Sequence, residues 1–165
     1  MHKIPRISDL PNNPAVYALY GGKGSNVFVA YVGVADKLKQ RISQHLIRRD
    51  SSITTGTSIV SLNPDYITKI EWWEFPTFSN RPILEAAEKI AFDILDPSLR
   101  SRGKIRADVH ELLLDKRFHE EMKILFEGKP TGKIEFPDFQ DSLDLIQNLE
   151  QKIERLEKQI QIKPE

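Results

Sequence analysis

Three side chains that could handle a phosphate group recur every fourth residue along one short segment. Lys37, Arg41 and His45 fall on one face of a predicted helix, because residues four apart stack in an α-helix. The guanidinium fork of an arginine suits phosphate oxygens, and a histidine exchanges protons near neutral pH. The pattern therefore predicts a site that binds and processes a phosphate group.

Two predicted strands precede this helix and would position it. Residues 15–20 and 27–32 are rich in β-branched and aromatic residues, and they flank a glycine-rich break at 21–26, which is a hairpin signal. The hairpin would place Tyr17 and Tyr31 beside the cationic helix face. Both tyrosines could instead simply pack in the sheet, and the hairpin alone does not separate the two interpretations.

Two glutamates on a later predicted helix, residues 79–96, could serve the same site. Glu85 is spaced to pair with Lys89 at i,i+4, a pattern typical of an exposed ion pair. Glu88 lies on a mostly apolar stripe, where a carboxylate is costly unless a charge meets it. A divalent cation would meet that need, and so would Arg41 in a purely structural pair.

Taken together, these segments resemble a known family. Residues 15–17 (Ala-Val-Tyr) and 31–33 (Tyr-Val-Gly) resemble the two half-motifs of the GIY-YIG nucleases. Residues in the positions of the family's Arg, His and metal-binding Glu follow in order: Arg41, His45 and Glu88, the last nine residues before Pro97. The resemblance covers roughly residues 14–100. It departs at Ala15, where Gly is usual, and at Arg100, where the family usually has Asn.

The resemblance implies a small α/β domain, with a three-stranded, mainly antiparallel sheet flanked by helices. It also implies a metal-dependent DNA endonuclease that needs Mg²⁺ or Mn²⁺, held by Glu88, and no small-molecule cofactor. Arg41 would hold the phosphate in the transition state. Tyr17 would act as general base or position the water, with His45 as the competing proton acceptor. Tyr31 would bond the phosphate or orient the water.

Two basic clusters could bind a DNA backbone, although the chain as a whole has no net charge. Residues 138–165 hold seven acids and four bases, so the remaining residues carry a net charge of +3. The first cluster follows Tyr31 and comprises Lys37, Arg48 and Arg49. The second follows Pro97 and comprises Arg100, Arg102 and Lys104. Solvated surface charges are the alternative interpretation of either cluster taken alone.

Composition excludes several other classes of protein. A chain of 165 residues supports one domain with an appendage. With no cysteine, disulfides, thiolate metal sites and cysteine nucleophiles are excluded. No apolar run approaches the ~18 residues of a membrane span, and residues 1–6 lack a signal-peptide core. We therefore expect a cytoplasmic protein without membrane contact, associated with the nucleoid when bound to DNA.

The organisation predicted along the chain is a nuclease-like domain over residues 1–127, a linker over 128–140 and a helical tail over 141–165. Apolar residues in the tail alternate in steps of three and four, with Ile at every a position and Leu at every d position of a heptad. This choice favours a two-stranded parallel coiled coil, and so a homodimer. The alternative is that the tail packs back on its own domain.

Two other functions remain open at this point. One is a DNA-binding or interaction module that dimerises through the tail and has lost catalysis, with Arg100 in place of Asn. The other is a coiled-coil assembly protein without any nucleic-acid role, which salt-sensitive DNA binding would exclude.

Overall fold

The structure, a computed structural model, describes residues 6–46, 66–99, 104–136 and 139–161. It is an α/β fold with an antiparallel sheet and helices on both faces. The strands are β1 (Ala15–Gly21), β2 (Phe28–Ala35), β3 (Ile67–Trp73) and β4 (Gly132–Glu135). The helices are α1 (Leu38–Leu46), α2 (Arg81–Leu95), α3 (Ala107–Leu114), α4 (Lys116–Glu127) and α5 (Phe139–Gln161). No described helix has both the length and the apolar character needed to cross a membrane.

The sheet has four strands in the order β2-β1-β3-β4, so the prediction of three strands is wrong. The additional strand, β4, lies inside the segment predicted to be a linker. It is only four residues long, and Ile134 is its one buried residue, so it lacks the pattern of a sequence-predicted strand. A side chain at Gly132 would collide with the ring of Trp72, so the glycine allows β4 to lie against β3.

The sheet buries side chains on both faces, as the adjacent tryptophans of β3 require. Trp72 joins the cluster that contains Tyr17 and the apolar face of α1. Trp73 joins the opposite cluster with α2 and α4, where its ring meets Phe126 edge-on at 5.6 Å between centroids. The two rings therefore lie on opposite faces of the sheet.

Strand β2 forms one edge of the sheet and runs two residues past Gly33, where we expected it to end. The helix that follows begins at Leu38, so Lys37 lies just before its first turn and not, as predicted, on the helix with Arg41 and His45. After α2, the chain turns through Asp96 in a left-handed conformation (φ 47°). The backbone N–H groups of Ser98 and Leu99 then donate to carbonyls of β2, at 2.9 and 3.0 Å. These bonds hold the end of α2 against the site-bearing strand.

Candidate active site

Both tyrosines of the hairpin lie on the α1 face of the sheet, around a glycine. Tyr17 in β1 pairs directly with Gly33 in β2, and its ring centroid is 6.0 Å from that of Tyr31. A Cβ placed on Gly33 would be 2.7 Å from Cε1 of Tyr31 and 2.8 Å from Oη of Tyr17. The glycine is therefore needed for the close approach of the two rings, not for a chain reversal.

This packing makes Gly33→Ala a specific perturbation of the tyrosine pair. The added methyl group must displace rigid aromatic rings in a closed core, and such overpacking costs about 1–3 kcal/mol. We expect a lower melting temperature in calorimetry and altered near-ultraviolet circular dichroism of the tyrosines. A variant with unchanged stability and spectrum would contradict this packing.

His45 completes the aromatic cluster from α1. Its Nε2 atom lies 2.9 Å from the Tyr17 hydroxyl, and its ring centroid is 5.9 Å from that of Tyr31. The side chain is only 6% exposed. Burial lowers the pKa of His45 to about 4, and the positive charge of Arg41 adds to this effect. At neutral pH the imidazole is therefore uncharged, and Nε2 can accept the Tyr17 proton.

The two tyrosines are held in their protonated form. Burial raises the pKa of Tyr17 well above 10, and the neighbouring Tyr31 raises it further. Burial likewise raises the pKa of Tyr31, with a further contribution from the Glu88 carboxylate. Arg41 lowers the pKa of both hydroxyls, but the effect of burial outweighs it.

Glu88 lies on α2, is partly buried, and acts on both tyrosines through the charge of its carboxylate. Burial raises the pKa of its carboxyl, against the lowering effect of Lys89, Arg81 and Arg41. In the described residues no hydrogen bond or ion pair engages this carboxylate. Glu85, by contrast, accepts from Arg81 Nε at 2.8 Å, so it pairs with the preceding turn and not with Lys89.

The Glu88 carboxylate could serve as a ligand for a divalent cation. The described part of the chain has no group of three or more His, Asp or Glu residues that could enclose a metal. Mg²⁺ does not need such a cage, since it keeps several waters and is held by one or two carboxylates together with substrate phosphates. Glu88 could supply the single protein ligand, while His45 is occupied by its bond to Tyr17.

A cationic pocket of about 450 Å³ opens beside Arg41. Lys37 and Arg81 also line it, together with Gln40 and Gln44. Sequence reasoning missed Arg81, although it lies seven residues before Glu88 and therefore shares its helix face. Arg81 is held by ion pairs to Glu85 and Asp36, at 2.8 and 3.1 Å, which fixes the guanidinium at the rim.

The structure thus brings together four of the predicted site residues, Tyr17, Tyr31, Arg41 and His45, and places Glu88 on α2, from which its carboxylate acts electrostatically on both tyrosines. Lys37 lines the adjoining pocket, and Lys104 is exposed. The remaining predicted DNA-binding residues lie outside the described ranges: Arg48, Arg49, Arg100 and Arg102.

The low pKa of His45 predicts a pH-dependent stability. Between pH 6.5 and about 4 the unfolded chain binds a proton at this residue and the folded protein does not. The free energy of unfolding should therefore fall as pH falls through this window. The raised pKa of Glu88 has the opposite effect: above pH 4.5 its contribution to the free energy of unfolding rises as pH falls.

Comparison with a histidine variant isolates the contribution of His45. The stability lost by the native protein between pH 6.5 and 4 should exceed that lost by His45→Gln, as measured by urea unfolding. His119→Gln, at an exposed position of α4, should behave as the native protein does. Parallel pH profiles for the native protein and His45→Gln would show that His45 titrates normally.

Comparison of the chain with protein-family models, with curated proteins and with solved structures gives no match. The function proposed for this protein therefore rests on the arrangement of these side chains and on the motif resemblance.

Proposed function

We propose that this protein is a metal-dependent endonuclease that hydrolyses DNA phosphodiester bonds. The observation that carries the proposal is the Tyr17–His45 hydrogen bond, with Arg41 and Glu88 acting electrostatically on the same buried hydroxyls. These groups come from two strands, β1 and β2, and from two helices, α1 and α2, that pack on different faces of the sheet. A purely structural cluster has no need for a glycine that lets two tyrosine rings approach closely, a neutral histidine beside an arginine, and a partly buried carboxylate that acts on the same hydroxyls.

The divalent cation, held through Glu88, would neutralise charge on the scissile phosphate and on the departing 3′ oxygen. Arg41 would donate two hydrogen bonds to phosphate oxygens, since its planar fork matches their geometry. The Arg41 side chain is already held beside the tyrosines in the free protein, so little conformational entropy would be lost when the substrate binds. The charge that develops at phosphorus is then stabilised by groups already in place.

A proton path leads away from the attacking water through the tyrosines. The raised pKa values exclude a stable tyrosinate as the base at neutral pH. The water would pass its proton to Tyr17 Oη as Tyr17 passes its own proton to His45 Nε2, 2.9 Å away. Tyr31, beside Tyr17 and slightly exposed, would orient the water or the phosphate. Neutral His45 would accept the proton only transiently, and because its pKa is about 4 it would release the proton to solvent after cleavage.

The cationic pocket favours a second candidate, a DNA-binding module without turnover. Lys37, Arg41 and Arg81 could hold a phosphate backbone without any proton transfer. In that case the Tyr17–His45 pair would have only a packing role. The two functions differ in whether a phosphodiester bond breaks.

Cleavage of an end-labelled DNA duplex in H₂¹⁸O with Mg²⁺ or Mn²⁺ tests the proposal. Hydrolysis by water predicts one ¹⁸O atom in the new terminal phosphate for each cut, read by mass spectrometry. A duplex that is retarded in a gel at low salt yet stays intact with both metals would favour the binding module. If the duplex is not cleaved and is not bound in a salt-sensitive way, both functions are excluded.

A further inference from the structure

Helix α5 presents a continuous apolar stripe that nothing in the described chain covers. It spans 23 residues, or about 34 Å at 1.5 Å per residue, and positions 144–160 are exposed throughout. Six large apolar side chains of this helix are 49% to 74% exposed: Leu145, Ile146, Leu149, Ile153, Leu156 and Ile160. A contiguous apolar surface of this kind marks an interaction site. At these positions the tail does not pack back on its own domain, which was the alternative interpretation.

We propose that the occupant of this stripe is α5 of a second copy of the chain, in a parallel two-stranded coiled coil. Ile146, Ile153 and Ile160 hold the a positions and two leucines hold the d positions, the combination that favours two parallel strands over three or four. The proposal does not depend on the nuclease activity.

Charges beside the stripe favour the parallel orientation. In a parallel pair, Lys152 at g faces Glu157 at e of the second copy, and symmetry makes the contact twice. In an antiparallel pair, e positions face e positions, and the charged e positions are both acidic, Glu150 and Glu157. The antiparallel arrangement would therefore set like charges against each other, while the parallel one pairs opposite charges.

A second copy also accounts for the stability of this helix. Isolated helices need help to persist in water, and most helical stability in proteins comes from packing an apolar face. The domain does not cover the α5 stripe, so the helix needs another partner. Because the two α5 helices run parallel, both domains join the coiled coil at the same end. If the proposed function holds, the dimer would present two catalytic sites to one DNA duplex.

The mass of the full chain in solution, from light scattering during gel filtration, tests the proposal without reference to activity. We expect twice the 19.0 kDa of one chain for the native protein. Ile153→Lys, at a central a position, should give the monomer mass, whereas Gln151→Lys on the outer face should remain dimeric. A native protein that is monomeric, trimeric or tetrameric, or an Ile153→Lys variant that stays dimeric, would overturn the proposal.

Two cysteine variants and a charge exchange test the orientation of the two helices. The chain has no cysteine, so Ile153→Cys introduces a single thiol. In a parallel, in-register pair it should form a disulfide-linked dimer on oxidation, and Gln151→Cys should not. Lys152→Glu should weaken the dimer, and adding Glu157→Lys should restore it. Equal cross-linking at both cysteine positions, or no rescue by the charge exchange, would contradict the parallel arrangement.

Discussion

Replacing Glu88 by Gln should abolish DNA cleavage and at the same time stabilise the fold. Loss of the metal ligand removes charge stabilisation of several kcal/mol from the transition state, and about 4 kcal/mol corresponds to about a thousand-fold loss of rate. Burial raises the pKa of the Glu88 carboxyl, so its ionised form is disfavoured in the folded protein. A neutral amide of the same shape avoids that cost, and the melting temperature of the metal-free protein should rise.

The metal itself provides an independent readout for this substitution. Mg²⁺ or Mn²⁺ should raise the melting temperature of the native protein and leave that of Glu88→Gln unchanged. Asp93→Asn, at an exposed position of the same helix, is the matched control and should retain both cleavage and the response to metal. If Glu88 instead served only as a structural partner of Arg41, Glu88→Gln would lower the melting temperature in metal-free buffer.

Arg41 should be the next most sensitive position, and two substitutions separate its two roles. Arg41→Lys keeps the positive charge but loses the bidentate fork, and Arg41→Gln loses both. Each should slow cleavage by about 100-fold or more, the usual effect of removing one preorganised transition-state donor. Unchanged cleavage by Arg41→Lys would show that only charge matters at this position.

The pKa of His45 distinguishes the same two variants by a second measurement. Burial is the main cause of its low value, and Arg41 adds to it through its charge. In an NMR titration of the imidazole, Arg41→Gln should therefore raise the pKa from about 4, and Arg41→Lys should leave it low. A His45 pKa that does not respond to Arg41→Gln would place the guanidinium away from the Tyr17–His45 pair.

The sequence predicts much of this arrangement because the relevant patterns are local. The four-residue spacing of Arg41 and His45 identifies two residues of α1, with Lys37 just before its first turn, and the capping pattern at Asn80 with Pro82 identifies the start of α2. The apolar stripe around Glu88 indicates that its carboxylate is buried. Each of these signals is contained within one or two helical turns.

The features that the sequence does not predict depend on contacts between distant segments. The Tyr17–His45 hydrogen bond joins residues 28 positions apart, and the pKa values of both groups follow from how deeply the fold buries them. Strand β4 has one buried side chain, and its place in the sheet depends on a glycine that leaves room for Trp72. Arg81 is seen to line the pocket only when α1 and α2 are placed together.

The most direct test of the central claim is a time course of supercoiled plasmid with the native protein, in Mg²⁺ or Mn²⁺ and in a chelator. We expect nicked or linear DNA to accumulate only with metal, and the Glu88→Gln variant to produce neither over the same period while Asp93→Asn matches the native rate. Plasmid that stays supercoiled with the native protein in both metals, or cleavage that persists equally in Glu88→Gln, would contradict the assignment of this site as a metal-dependent nuclease.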